Sequence, residues 1–295
     1  MKVLVTGVKG QLGHDCMDEL NRRGHETVGV DIEEMDITDP ASVNKVIREA
    51  APDAVIHCAA WTAVDAAEDA DNREKVRLVN AYGTENIARV CKELDCRMMY
   101  ISTDYVFDGQ GTEPWKPDCR DYKPLNVYGE TKLAGEEAVS GTLTKYFIVR
   151  IAWVFGKNGK NFIKTMLSLG KTHDQIKVVS DQIGTPTYTF DLARLLCDMI
   201  ETDKYGYYHA TNEGGYISWY DFTKEIFNQA TIQGHEEYSE DRVKVIPVTT
   251  EEYGISKARR PFNSRLDKTK LVENGFTPLP FWQDAVERYL KEIEF

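Results

Sequence analysis

The opening stretch MKVLVTGVKGQLG, Met1–Gly13, decides how the rest of the chain is read. Lys2–Thr6 is a short run of leucine and β-branched residues, and it breaks at Gly7. Gly7, Gly10 and Gly13 then give the spacing G-x-x-G-x-x-G. An amphipathic stretch follows through Arg23, with Cys16, Met17 and Leu20 at helical spacing. Glycines placed between a strand and a helix let the chain turn tightly and bring backbone N–H groups close to a pyrophosphate at the positive end of the helix dipole. Three glycines alone are weak evidence, because they punctuate many loops. The strand before them and the helix after them are the context that a dinucleotide site requires. Asp31 ends the next apolar run, 24 residues after Gly7, where a carboxylate can accept from a ribose hydroxyl. It repels a 2′-phosphate, and the stretch GVDIEEMD offers no arginine to hold one. NADH should therefore be at least acceptable. Asp36 and Ile37, in MDITD, are placed to line the adenine pocket, while Asp39 is as well suited to capping the next helix.

Outward from this unit, strand and helix patterns alternate. ETVGVD, DAVIHCAA, RMMYIST and KYFIVRIAW read as buried strands, and Ala41–Ala51 and Glu74–Leu94 as helices. The fold class that this predicts is α/β, a Rossmann-type doubly wound parallel sheet. After about residue 155 the pattern loosens into helices at FIKTMLSLGK and FDLARLLCDMI, a strand at GYYHA, a helix capped by Ser218, and a final helix near Trp282–Ile293. The expected organisation is a nucleotide-binding domain over 1–155 and a smaller mixed, mainly substrate-binding domain over 156–295, with some segments returning to the first.

The chain has 295 residues and a net charge of −12, and its one basic cluster is Lys257–Arg260. An acidic surface repels phosphate backbones, so nucleic-acid binding is not expected. The longest apolar stretch, Ala54–Val64, is too short to span a bilayer. Six cysteines without a C-x-x-C pair read as reduced thiols filling the core. With no signal-peptide pattern at the start, a soluble cytoplasmic protein is expected.

The chemistry centres on VYGETK, Val127–Lys132. Y-x-x-x-K also occurs at Tyr220/Lys224 and Tyr253/Lys257, so the spacing by itself carries little weight. Only Tyr128 follows the fourth strand and opens a helix within the nucleotide-binding half; the other two pairs are assigned to packing or surface. Reducing a ketone requires a proton for the forming alkoxide. A free tyrosine titrates near about 10, and an ammonium one helical turn away should stabilise the phenolate and draw that value down. Ser102 and Thr103 end the fourth strand, where either hydroxyl could bond the substrate carbonyl.

These residues carry a resemblance. GVKGQLG, HCAAWTAVDAAE, STDYVFDG, PLNVYGETKLAGE, RIAWVFG, NFIKTM, DQIGTPT and RRPFNSRLD together resemble the dTDP-4-dehydrorhamnose reductases, a branch of the extended short-chain dehydrogenase/reductase family. The resemblance implies hydride transfer from NADPH or NADH to the C4 ketone of a dTDP-linked 6-deoxy-hexulose. Thr103 would polarise the carbonyl, Tyr128 would serve as acid, and Lys132 would hold the nicotinamide ribose. Gln11 and Leu12 in the glycine loop, and Ala59, Ala60 and Trp61 after the third strand, would border the cofactor. Asp104 and Trp153 would contact the sugar nucleotide, and Arg260 would clamp its pyrophosphate. The family usually uses NADPH, which Asp31 does not favour, so dual use is expected. Some members dimerise around magnesium; a homodimer is compatible with the sequence, but no carboxylates here have metal-ligand spacing and no catalytic metal is expected. On the same scaffold a nucleotide-sugar 4,6-dehydratase would need an acid where Tyr105 stands. An epimerase, or a non-catalytic protein like the regulatory β subunit of methionine adenosyltransferase, stays open at this level.

Overall fold

The computed structural model describes all residues, Met1–Phe295. In chain order its main elements are β1 (Lys2–Thr6), α1 (Gln11–Arg22), β2 (Glu26–Val30), α2 (Pro40–Ala50), β3 (Ala54–His57), α3 (Thr84–Glu93), β4 (Arg97–Thr103), α4 (Val127–Thr142) and β5 (Tyr146–Ile151). There follow α5 (Phe162–Gly170), β6 (Gln175–Val179), α6 (Thr189–Ile200), β7 (Gly206–His209), α7 (Trp219–Ile232), β8 (Lys244–Val248) and α8 (Trp282–Glu292).

Six strands pair in the order β7-β5-β4-β3-β1-β2, all parallel. The chain reverses direction across the sheet between β1 and β3, and open α/β sheets bind ligands outside the carboxyl ends at such a reversal. Both faces are covered, which is why the strands read as continuous apolar runs. Val3 and Val5 pack with Cys16, Leu20, Leu192 and Leu196 on one side of the sheet. Leu4 and Val55 pack with Val43, Ile47, Ile87 and Val90 on the other. Adjacent residues of one strand thus serve opposite cores, as the two-residue period dictates.

Two departures from the simple pattern bear on the site. The helix read over Glu74–Leu94 is interrupted by a widened π-helical turn at Leu78–Gly83. There Asn80 accepts from the Trp61 N–H (2.8 Å) and donates to its carbonyl (3.2 Å), which fixes the loop after β3. Further along, β7 forms the far edge of the sheet and α6 shares the core of α1, so residues 189–209 belong with the first half in space. The remaining later segments build their own core, in which Ile163, Ile176, Phe222, Trp282 and Tyr289 pack together. In it β6 and β8 pair in parallel, and α7 begins with the capping box of Ser218 and Asp221. No helix is long and apolar enough to cross a membrane.

Candidate active site

A cleft of about 1000 Å3 opens at the carboxyl ends of β1 and β3. Its floor at one end is the glycine loop. Gly7 has φ +70°, a conformation that side chains disfavour, and a Cβ there would meet the Ala59 backbone. A Cβ on Gly13 would overlap the Gly7 carbonyl, so β1 and α1 can approach this closely only with glycine at both places. Gly10 is the N-cap of α1 and supplies no side-chain acceptor. The first N–H groups of α1 are therefore free for an anion. This cradle fits a dinucleotide pyrophosphate.

Gln11 and Leu12 continue the lining from α1, and Asp31, Asp36 and Ile37 form the wall beyond β2. Asp31 accepts from the backbone N–H groups of Lys9 (3.0 Å) and Ile32 (2.9 Å), so its carboxylate is pinned to the rim. Asp36 accepts from Thr38, and Asp39 caps α2 by accepting from the Ala41 N–H (2.9 Å). Ala59 and Ala60 line the side after β3. Trp61 is different: its indole N–H donates to the Ala63 carbonyl (3.2 Å), and the residue does not line the cleft. The Asn80 clamp holds its backbone so that the ring stays within its own loop.

Thr103, Asp104, Tyr128 and Lys132 meet in the middle of the cleft. Asn126 caps α4 by accepting from the Gly129 N–H (2.8 Å), which sets Tyr128 in the first turn. Gly129 lets that turn press against the Tyr105 carbonyl, where a Cβ would clash. Tyr105 and Tyr128 meet edge to face at 5.6 Å. Of the two hydroxyls left open by the sequence, Ser102 donates to Glu136 (2.6 Å) within a buried network that includes Arg150. Thr103 faces the cleft beside Tyr128, donating to Asp104 (2.9 Å). Of the two, Thr103 is the hydroxyl that stands beside Tyr128.

The electrostatics differ from the sequence expectation. Burial pushes the Tyr128 phenol well above the ordinary tyrosine value; the Thr103 hydroxyl eases its ionisation, and the Asp104 charge opposes it. Burial also pulls Lys132 down to about 7, against the supporting charge of Glu136. Lys132 Nζ donates to the Ile101 carbonyl (2.7 Å) and lies 4.1 Å over the Tyr100 ring. The ammonium is thus engaged beneath the sheet end, and Tyr128 is eased by Thr103 rather than by Lys132. Asp104 is raised by burial to about 6, although Thr103 and Ser264 favour its carboxylate, and its Oδ2 is buried without a hydrogen bond.

The opposite end of the cleft is aromatic. Trp153 stacks on Trp219 with ring centroids 3.6 Å apart and planes 14° from parallel. Trp153 has φ +52°, rare for a bulky residue, and strain of this kind gathers at functional sites. Trp219 lines the cleft from the start of α7, and no spacing in the sequence marked it. Arg260 does not stand among the residues that line the cleft. Its guanidinium holds Asp65 bidentately (2.7 and 3.1 Å) outside the cleft lining, because a planar fork matches a nearby carboxylate. Of the other Y-x-x-x-K pairs, Lys224 pairs with Glu240 (3.2 Å) and Lys257 with Asp69 (2.8 Å). No group of three or more His, Cys, Asp or Glu side chains is arranged to hold a metal ion.

A family model described as the RmlD substrate binding domain matches residues 1–295. The chain belongs to this family. Across the RmlD family the chain is 36% identical over 302 residues to the dTDP-4-dehydrorhamnose reductase of Escherichia coli K12, covering 99% of this chain and 98% of that one. It is 38% identical over 291 residues to the spore coat polysaccharide biosynthesis protein SpsK of Bacillus subtilis, covering 99% and 97%. The crystal structure of dTDP-4-dehydrorhamnose reductase from Bacillus anthracis in complex with NADP superposes with a TM-score of 0.91 at 41% identity, covering 99% of both chains. The RmlD family chain described here therefore shares the doubly wound Rossmann-type sheet of a protein that holds NADP.

Proposed function

We propose that this chain is an NAD(P)H-dependent oxidoreductase that reduces the C4 ketone of dTDP-4-dehydrorhamnose to give dTDP-L-rhamnose. Full-length similarity to reductases of that name supports the substrate class. The observation that carries the chemistry is the pairing of the Thr103 and Tyr128 hydroxyls between the glycine cradle and the Trp153–Trp219 stack. A reduced nicotinamide cofactor, when bound, supplies the hydride. Gly7, Gly10–Gly13 and the open N-terminus of α1 hold its pyrophosphate, Ala59 and Ala60 border it, Asp31 takes the adenosine ribose, and Asp36 and Ile37 flank the adenine.

Thr103, its hydroxyl turned from Asp104 when the sugar binds, donates a hydrogen bond to the ketone oxygen and orients it. Tyr128, kept protonated by burial at neutral pH, delivers its proton to that oxygen as negative charge develops. Lys132, one turn along α4, donates to the nicotinamide ribose. Asp104, with an unspent buried oxygen, accepts from a sugar hydroxyl, and Trp153 with Trp219 offers a flat face to the nucleotide sugar. Residues 1–155 act mainly on the cofactor and 156–295 mainly on the substrate, with 189–209 serving the first half.

The test is to incubate the protein with dTDP-4-dehydrorhamnose and NADPH or NADH, follow the absorbance of the reduced cofactor, and identify the sugar product. One equivalent of cofactor should be oxidised per sugar converted. Loss of the keto-sugar with no oxidation of added cofactor would refute the reductase reading in favour of an epimerase.

A further inference from the structure

At the end of β4 remote from the cleft, two thiols meet where α3 passes into the strand. Cys91 Sγ and Cys96 Sγ lie 3.7 Å apart, and both residues are buried and unbridged. The turn between them explains the approach. Asp95 takes the left-handed conformation (φ +54°), its N–H donates to the Lys92 carbonyl (3.3 Å), and the Cys96 N–H donates to the Cys91 carbonyl (2.9 Å). These nested bonds form a Schellman ending, in which the same two positions usually make an apolar contact. Here both positions are cysteine. The backbone bond holds their Cα atoms within the separation that a disulfide spans, about 4.4–6.8 Å. Closing the sulfurs to about 2.05 Å then asks for side-chain rotation rather than movement of the main chain.

A second cavity, of about 350 Å3, is lined by both cysteines together with Lys92, Ser140 and Lys145. It gives a small oxidant a route to Cys96, which is 3% exposed while Cys91 is not exposed at all. The Cys96 thiol beside it, and then burial, hold the Cys91 thiol well above the ordinary cysteine value. Lys145 is paired with Asp95 (2.6 Å), and Lys92 adds the positive charge that favours a thiolate at Cys96.

We propose that Cys91 and Cys96 form a reversible oxidation site, closing to a disulfide that clasps α3 to β4 when the chain meets a hydroperoxide. Cys96, as the thiolate, attacks the terminal peroxide oxygen. The O–O bond breaks, Cys96 becomes a sulfenic acid, and the alkoxide takes up the thiol proton and leaves as an alcohol. The Cys91 sulfur then attacks the Cys96 sulfur. The S–O bond breaks, and the hydroxyl leaves with the Cys91 proton as water. The two thiols lose two electrons in all, and the hydroperoxide takes them up. Thr103 stands at the other end of β4, so the bridge does not reach the cleft.

The test is to treat the folded full chain with tert-butyl hydroperoxide, alkylate the remaining thiols in denaturant, and map the peptides by mass spectrometry. Two of the six free thiols should be lost per chain, peptides holding Cys91 and Cys96 should appear joined, and dithiothreitol should restore both thiols. Cys96→Ser should leave Cys91 reduced; the mapping on the unaltered chain decides the matter even if this variant fails to fold. The oxidised chain should also unfold at a higher urea concentration than the reduced chain, because the cross-link restricts the unfolded state. Recovery of Cys91 and Cys96 both alkylated, of Cys96 as a sulfinic acid with Cys91 free, or of a bridge between Cys16 and Cys58 alone would overturn the proposal. An unfolding midpoint no higher after oxidation would overturn it as well.

Discussion

Replacing Lys132 by methionine should remove most of one pH dependence of folding stability, and the size follows from where the ammonium sits. Lys132 is buried, and burial holds it at about 7 against an ordinary 10.5. Between those two values the unfolded chain keeps the proton while the folded chain increasingly does not. Protons then favour unfolding, so stability rises with pH across this window. From about pH 7 to pH 9, two units at about 1.36 kcal/mol each give about 2.7 kcal/mol. Subtracting the part already relieved, because the folded-state lysine is half deprotonated at the start, leaves about 2 kcal/mol. Buried thiols such as Cys197, which burial pushes up to about 12, titrate in both proteins and cancel in the comparison. The assay is urea unfolding of the wild type and Lys132→Met at the two pH values. The wild type should gain about 2 kcal/mol more than the variant on going to the higher pH. Equal gains would mean that the ammonium is hydrated in the folded protein, and the description of Lys132 as a desolvated cation would be wrong. Keeping such a group at a loss of stability is characteristic of a working site.

Three other substitutions test separate parts of the account. Tyr128→Phe should leave cofactor affinity unchanged and lower kcat by about 10²- to 10⁴-fold; turnover near that of the wild type would remove the phenol as proton donor. Asp31→Ala takes away the carboxylate at the ribose and should raise the NADPH/NADH ratio of kcat/KM by about fivefold, measured by initial rates with each cofactor. A static ratio would place Asp31 away from the 2′ position. Gly135→Ala would put a Cβ 2.7 Å from the Asn80 carbonyl and against the Tyr100 hydroxyl, in a segment with no room to yield. Thermal or urea unfolding should show a loss of about 1 to 3 kcal/mol, and stability equal to wild type would show that α4 does not pack this tightly.

The sequence alone determined what depends on neighbours in the chain. The strand–glycine–helix unit at Lys2–Arg22, the alternation of Val3, Leu4 and Val5 between two cores, the cap before α2 and the position of Tyr128 in a helix within the first half are all legible as local patterns. Family motifs carried the cofactor and substrate classes further than any spacing could. Tertiary structure decided the rest, because it turns on partners far away in the chain. Ser102 is engaged by Glu136, 34 residues on, and Arg260 by Asp65, 195 residues back. Trp219 reaches the cleft only because α7 packs beneath Trp153. Lys132 and Tyr128 keep the spacing of an ammonium–phenol pair, yet the field at each is set by desolvation, Thr103, Glu136 and the Ile101 carbonyl. Burial and the direction of a hydrogen bond are properties of the folded surroundings, and a linear pattern of residues does not contain them.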